Sequence, residues 1–288
     1  MPFITVDGVK VHYEEAGSGA PALLIHGWGA SWKFWRMMLG PLSSNYRCVA
    51  IDLPGFGTSD HLDLPYTIEW YSGFVGRLLD ALGWPKAILC GHSMGGMISA
   101  LFAAKNPARV ERLVVVNPPI HGPSSLFLKA RMMLLPVFRW LMWVFMHVRF
   151  VRHWVARDFT YKVRLAEEMI DDVLATTYQS SISSVRSLAA TDVSPHLRSI
   201  QAPTLVLGTD KDGVIHTSQH ALAAREIPGA IHVVLPDLGH CPMFEAPEAF
   251  SKHIADFLLP VPAQAAQQAG LASQQAGLAR LDPAGAPH

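Results

Sequence analysis

Cys90-Gly91-His92-Ser93-Met94-Gly95-Gly96 brings together the residue types that nucleophilic catalysis needs. Gly91-x-Ser93-x-Gly95 fits a strand-to-helix turn tight enough to lift the serine oxygen clear of the chain. Glycine is needed two positions to either side, because a β-carbon there would collide with the bent backbone. The spacing also arises by chance in ordinary turns. Here an apolar run, AILCG (87–91), precedes it and an alanine-rich helical segment follows, which is the setting the motif requires. Ser93 is therefore read as a nucleophile.

A serine hydroxyl attacks slowly near neutral pH unless a base takes its proton and an acid orients that base. The chain has 14 histidines, so position must choose among them. His240, in Asp237-Leu238-Gly239-His240-Cys241-Pro242, follows the last strand pattern and belongs at the same sheet edge as Ser93. His92 is the alternative base, but an immediate neighbour of Ser93 is badly placed to reach its oxygen in line. His26 reads as part of a glycine turn beside the site.

The acid should follow the penultimate strand pattern, TLVLG (204–208). Two aspartates compete there, in Gly208-Thr209-Asp210-Lys211-Asp212-Gly213-Val214-Ile215. Asp212 is favoured because Asp-x-Val-Ile leads straight into the next helix. Asp210 stays open as the alternative, its other role being a local turn hydrogen bond.

Attack on a carbonyl creates an oxyanion that needs donors already in place. The backbone N–H of Met94 stands at a helix N-terminus, where the dipole favours negative charge. The second donor is expected in the loop after the first parallel strand, His26-Gly27-Trp28-Gly29, with Trp28 N–H the candidate and its indole a wall of the acyl site. No cofactor or metal is expected. His216 and His220 stand four apart on a helix, but without a glutamate-flanked zinc pattern they read as a solvated face. Cys90 reads as a core residue, and Cys241, beside the base, as a point where bulky thiol reagents would inhibit.

The elements that must position these residues follow from hydrophobic patterning. FITVDGVKVHYEE (3–15) alternates around Asp7-Gly8, a hairpin signal. ALLIHG (22–27), YRCVAID (46–52), AILCG (87–91) and RLVVVN (112–117) read as buried strands, with helices over 31–43, 67–82 and 94–105 between them. Apolar strands spaced by helices indicate a parallel sheet covered on both faces. The alternation lapses from Pro118 to Pro195, then resumes with TLVLG, a helix near 216–226, the strand IHVVLP (231–236) and a last helix over 246–258.

HGWG (26–29), DLPGFGTSD (52–60), GHSMGG (91–96) and GHCPMFEAPEAF (239–250) together resemble the α/β-hydrolase fold family, over residues 3–259 outside the insertion. The resemblance implies an α/β fold: a mostly parallel central sheet with helices on both faces, and a helical cap inserted before the last two strands. It implies a core of 1–118 and 196–260 and a cap of 119–195; beyond them the composition shifts to Ala, Gln, Gly and Pro, and QQAGLAS repeats as QQAGLAR, which reads as a low-complexity tail over 261–288. The resemblance makes Ser93, Asp212 and His240 a triad, in the Ser, Asp, His order of that family. Two positions depart from its pattern: the acid loop carries an extra residue, and His216 stands where a proline is common. Members similar to haloalkane dehalogenases and epoxide hydrolases carry Asp at the nucleophile position, so Ser93 disfavours both. Carbon–carbon bond hydrolases often share Ser-Met-Gly-Gly, but many place a Trp soon after the histidine, where this chain has Cys241-Pro242-Met243-Phe244. The expectation is a serine carboxylic ester hydrolase, esterase- or lipase-like, acting on hydrophobic substrates through an acyl-enzyme. The alternatives are a carbon–carbon hydrolase or enol-lactonase on the same scaffold, and a non-catalytic ligand-binding protein.

Composition limits the partners. The 288 residues carry 23 basic and 23 acidic side chains, without the basic excess of a nucleic-acid binder. Three cysteines and no charged leader before an apolar run point to a reducing cytoplasm. MMLLPVFRWLMWVFMHV (132–148) is greasy, yet it is short for a span, contains Arg139, and would split one sheet across a bilayer. It reads as part of the cap, and the absence of acids between Ile120 and Arg157 leaves a basic rim for weak contact with a membrane surface. Oligomeric state is open.

Overall fold

The structure, a computed structural model, describes residues 2–122, 171–172 and 175–258. Among these residues eight strands form one sheet: β1 Phe3–Val6, β2 Val9–Ala16, β3 Ala20–Ile25, β4 Tyr46–Ile51, β5 Ala87–His92, β6 Val110–Val116, β7 Thr204–Thr209 and β8 Ile231–Leu235. Their spatial order is β1-β2-β4-β3-β5-β6-β7-β8. The expected hairpin is present, with Asp7 and Gly8 both at positive φ between antiparallel β1 and β2. β2 runs antiparallel to β4, and every later pairing is parallel.

Side-chain parity explains why both faces are covered. Leu23, Ile25, Val49, Ile51, Leu89, Leu113, Val115 and Val206 enter one buried cluster, which also holds Phe74, Leu78, Ile98 and Leu101. Their strand neighbours Ala22, Leu24, Cys48, Ala50, Ile88, Cys90, Val114, Val116, Leu205 and Leu207 enter a second, with Met38, Leu42, Phe250 and Ile254. Successive residues of a strand point to opposite faces, so the unbroken apolar runs are what a doubly covered sheet demands. The helices that supply those covers are α1 Arg36–Leu42, α2 Ile68–Ala81, α3 Met94–Lys105 and, at the end, α7 Pro247–Leu258. The helix expected over 31–43 is divided: a 3-10 turn, Trp32–Trp35, capped by Ser31, precedes α1.

Between β6 and β7 the described residues include α4, Tyr178–Ala190, started by Thr177, whose side chain accepts Ser180 N–H. Ile182, Val185 and Leu188 are its buried apolar side chains, and Ser187 Oγ accepts Ile68 N–H at the start of α2. The chain leaves and re-enters the sheet region at one place: Val193 N–H donates to Ile120 O at 2.8 Å, and Gly122 N–H to Thr191 O at 3.1 Å. The stretch 132–148 and the 261–288 tail lie outside the described residues. Among the described residues no helix is long and apolar enough to cross a membrane. α5 Ser218–Glu226 follows β7, and the short α6 Pro242–Glu245 follows β8.

Candidate active site

The turn from β5 into α3 is steric in origin. Ser93 sits at φ 52, ψ −119, a conformation that costs a non-glycine residue about 1–3 kcal/mol unless its surroundings enforce it. They do so through glycine. A β-carbon on Gly91 would stand 2.3 Å from Gly95 O, and one on Gly95 would stand 2.4 Å from Ile25 O. Ser93 N–H is tied to Val116 O at 2.8 Å. The serine is thus raised at the C-terminal edge of the parallel strands with its helix directly behind it.

His240 and Asp212 reach the same edge from the loops after β8 and β7. Ser93 Oγ lies 2.9 Å from His240 Nε2, and His240 Nδ1 lies 2.7 Å from Asp212 Oδ2. A carboxylate can only accept, so Nδ1 carries the proton and Nε2 is left as the acceptor for the serine hydroxyl. Asp212 Oδ1 accepts the N–H groups of Val214 and Ile215, each at 2.8 Å. Burial pushes the Asp212 carboxyl up, but the His240 imidazole and these two amides outweigh it and hold the group below its ordinary value. Asp210, the other expected candidate, lies on the outside of the loop, 3.3 Å from Lys211 Nζ.

Polar side chains from other elements hold the His240 loop. His92 Nε2–H donates to His240 O at 2.9 Å, and Asn117 Nδ2–H donates to the same oxygen at 3.1 Å. Thr209 Oγ1–H donates to Gly239 O at 2.8 Å, and Glu245 Oε1 accepts Gly239 N–H at 2.9 Å. His92 is therefore turned toward the histidine backbone, stacked on Phe34, and does not face the serine oxygen as a base would. Burial, then the neighbouring His240, hold it neutral, down to about 3. No motif marks Asn117 or Thr209 for this role, and Glu245 lies within GHCPMFEAPEAF without a local sign of its partner. Asn117 does carry a positional signal, since it ends the apolar run RLVVVN at the active edge of the sheet.

The loop after β3 passes against Ser93: a β-carbon on Gly27 would stand 3.0 Å from Ser93 Cβ and 3.1 Å from His92 Nδ1. His26, expected beside the site, pins this loop. Its Nε2 accepts Leu53 N–H at 2.9 Å, which puts the proton on Nδ1, donated to Gly27 O at 2.6 Å. Burial, its largest influence, keeps His26 neutral against the pull of Asp52 and Asp172. Asp52, from DLPGFGTSD, accepts Trp32 N–H at 2.7 Å, Thr58 N–H at 3.0 Å and His12 Nδ1 at 2.9 Å. Met94 opens α3, so its N–H belongs to the first turn, whose amides have no helical acceptor. Trp28 is partly buried, and its indole N–H donates to Ser181 O of α4 at 3.3 Å.

Two expectations are corrected. His220 is not on a solvated face: it is buried against Gly208 with Nδ1 2.9 Å from His232 Nε2, while His216 precedes α5 and is exposed. Helix period alone could not show that the inward side of α5 rests on a glycine of β7. Cys241 is buried, and desolvation holds its thiol well above the ordinary range, so the sensitivity to bulky thiol reagents expected from its position is not supported. All three cysteines are buried thiols.

Comparison with known proteins fits this geometry. Residues 21–247 match the family model described as alpha/beta hydrolase fold. The dihydrolipoyllysine-residue acetyltransferase component of an acetoin cleaving system from Cupriavidus necator is 40% identical over 123 residues, 42% of this chain and 33% of that protein. The chain thus spans about a third of the length of such relatives. A 2-hydroxy-6-oxo-6-phenylhexa-2,4-dienoate hydrolase from Burkholderia cepacia is 27% identical over 89% of this chain and 95% of its own. The crystal structure of a membrane phospholipase A, a bacterial virulence factor, superimposes with a TM-score of 0.78 at 28% identity, covering 89% of this chain and 84% of that one. This chain belongs to the α/β-hydrolase fold family.

Proposed function

We propose that the chain is a serine hydrolase that cleaves carboxylic esters of hydrophobic substrates. The observation that carries the proposal is the hydrogen-bonded line Ser93 Oγ, His240, Asp212, with spacings of 2.9 and 2.7 Å. His240 Nε2 takes the Ser93 proton as Oγ attacks the ester carbon, and Asp212 stabilises the imidazolium that forms. The N–H groups of Trp28 and Met94 receive the oxyanion. The imidazolium returns its proton to the departing alcohol. Water, activated by the same nitrogen, then releases the acid from the acyl-enzyme.

In this reading residues 119–195 are a cap over the core of 1–118 and 196–260, and 261–288 is an appended tail. The apolar run 132–148 would then be a cap segment packed on the core or roofing an acyl chain, and Lys129, Arg131, Arg139, His147 and Arg149 would offer a basic rim for transient contact with a membrane surface. Similarity to a membrane phospholipase A supports an apolar, lipid-like ester. Three buried thiols suit a reducing cytoplasm. A second reading, hydrolysis of a carbon–carbon bond in a dienone, is supported by the near full-length similarity to the phenylhexadienoate hydrolase and by Ser93-Met94-Gly95-Gly96.

A chain-length series of p-nitrophenyl esters, run beside dienone and enol-lactone substrates, tests the assignment. The expected result is ester turnover that improves beyond the acetate and falls by about 10⁵–10⁶ in Ser93→Ala. Turnover of the dienone with esters untouched would move the function to the second reading.

A further inference from the structure

Outside the Ser93 line, the strongest polar cluster joins the insertion to the loop after β3. Asp172 is buried at 7% exposure and accepts Ser31 Oγ–H at 2.5 Å and Lys33 Nζ–H at 2.8 Å. Ser31 is itself buried, and its hydroxyl also accepts Lys33 N–H at 3.4 Å, so its one proton is committed to Asp172. Trp28, three residues earlier, is tied to the insertion separately through its indole and Ser181 O. From the sheet side the same loop is held by His26, which bonds Gly27 O and Leu53 N–H, and by Asp52, which accepts Trp32 N–H. Residues 26–33 are therefore clamped from both sides, and Asp172 supplies a charge to the clamp from the insertion side.

We infer that Asp172 is a positioning residue that, paired with Lys33, sets the loop carrying Trp28 N–H in register with the oxyanion. This rests on the ester-hydrolase reading above. A buried carboxylate is costly unless paired, and one left bare here would also repel the negative charge that builds on the substrate oxygen. Lys33 supplies the neutralising charge while staying partly exposed. The pair thus has two effects, one geometric and one electrostatic, which different substitutions separate.

The test uses the full chain, p-nitrophenyl ester kinetics and the rate of fluorophosphonate labelling. Asp172→Asn is expected to lower kcat about tenfold to a hundredfold, as displacing a donor would, with KM changed less than twofold. Lys33→Gln, which strips the charge partner, is expected to lower kcat at least as far. Adding Asp172→Asn to Lys33→Gln then restores activity to the level of Asp172→Asn alone, since the bare carboxylate is gone. Labelling rates should follow kcat. If Asp172→Asn does not fold, the Lys33→Gln result and its KM split decide alone. An unchanged kcat in Lys33→Gln, or losses confined to KM, would overturn the positioning role while wild-type labelling still upholds the hydrolase reading. A wild type that neither takes the label nor turns over esters would overturn both.

Discussion

The turn around Ser93 is shaped by side chains that are absent, whereas the loops carrying Asp212 and His240 are shaped by side chains that reach in from elsewhere. Gly91 and Gly95 let backbone segments approach to distances no β-carbon would allow, and Gly27 lets the loop after β3 pack closely on Ser93 and His92. His240, by contrast, is steadied by His92, Asn117, Thr209 and Glu245 through its own carbonyl and that of Gly239, together with Gly239 N–H. Steric exclusion is all-or-none. A set of hydrogen bonds can lose members one at a time. The two halves should therefore fail differently.

Gly95→Ala should give the largest effect. Its β-carbon would press on the carbonyls of Ile25 and His26, both backbone and unable to yield. The expected cost is about 5 kcal/mol or more, enough to unfold an ordinary domain, measured by urea denaturation or loss of folded yield. Asp212→Asn comes next: a folded protein whose kcat falls by about 10⁴, because the amide no longer holds His240 in the required tautomer. Asp210→Asn should stay within twofold in the same assay, and the reverse pattern would reassign the acid.

Asn117→Ala tests whether the histidine loop loses its supports gradually. It removes a donor to His240 O and leaves Thr209 N–H without its 3.0 Å acceptor. A stability loss of about 1–3 kcal/mol with activity reduced but not abolished is expected. Loss as complete as that of Gly95→Ala would erase the distinction.

The smallest effect is on acid stability. Burial holds His92 neutral down to about 3, whereas the unfolded chain binds the proton at an ordinary histidine value. Over that interval the unfolded state takes up more protons, so stability falls as the pH falls. Asp212, held below its ordinary value, adds a loss of the same sign in a more acidic window, as the pH drops through its folded value. His92→Asn removes the first contribution. Between pH 6.5 and 5.5 the wild type should lose about 1 kcal/mol more than the variant, read from unfolding midpoints at each pH.

The same contrast explains what could be read from the chain. The strands, the hairpin at Asp7-Gly8 and the Gly91-Ser93-Gly95 turn were legible because apolar runs and glycines leave short, fixed-spacing signatures. The supports of His240 were not, since Asn117 and Glu245 join it across 123 residues in one case and by a bond to its neighbour Gly239 in the other. Nothing in either local pattern marks the partner. Asp212 and Asp210 could be separated only by which one turns inward, a consequence of the Val214 and Ile215 amides gathering around one carboxylate. His220 misled for a related reason: helix period says which residues share a face, but not what that face rests on.

Ser93 as the nucleophile is most directly tested by fluorophosphonate labelling of the full chain, with the modified residue located by peptide mass spectrometry. One equivalent of label on Ser93, absent from Ser93→Ala and greatly slowed in Asp212→Asn, is the expected result. Labelling at another residue, or none while the protein remains folded, would contradict it.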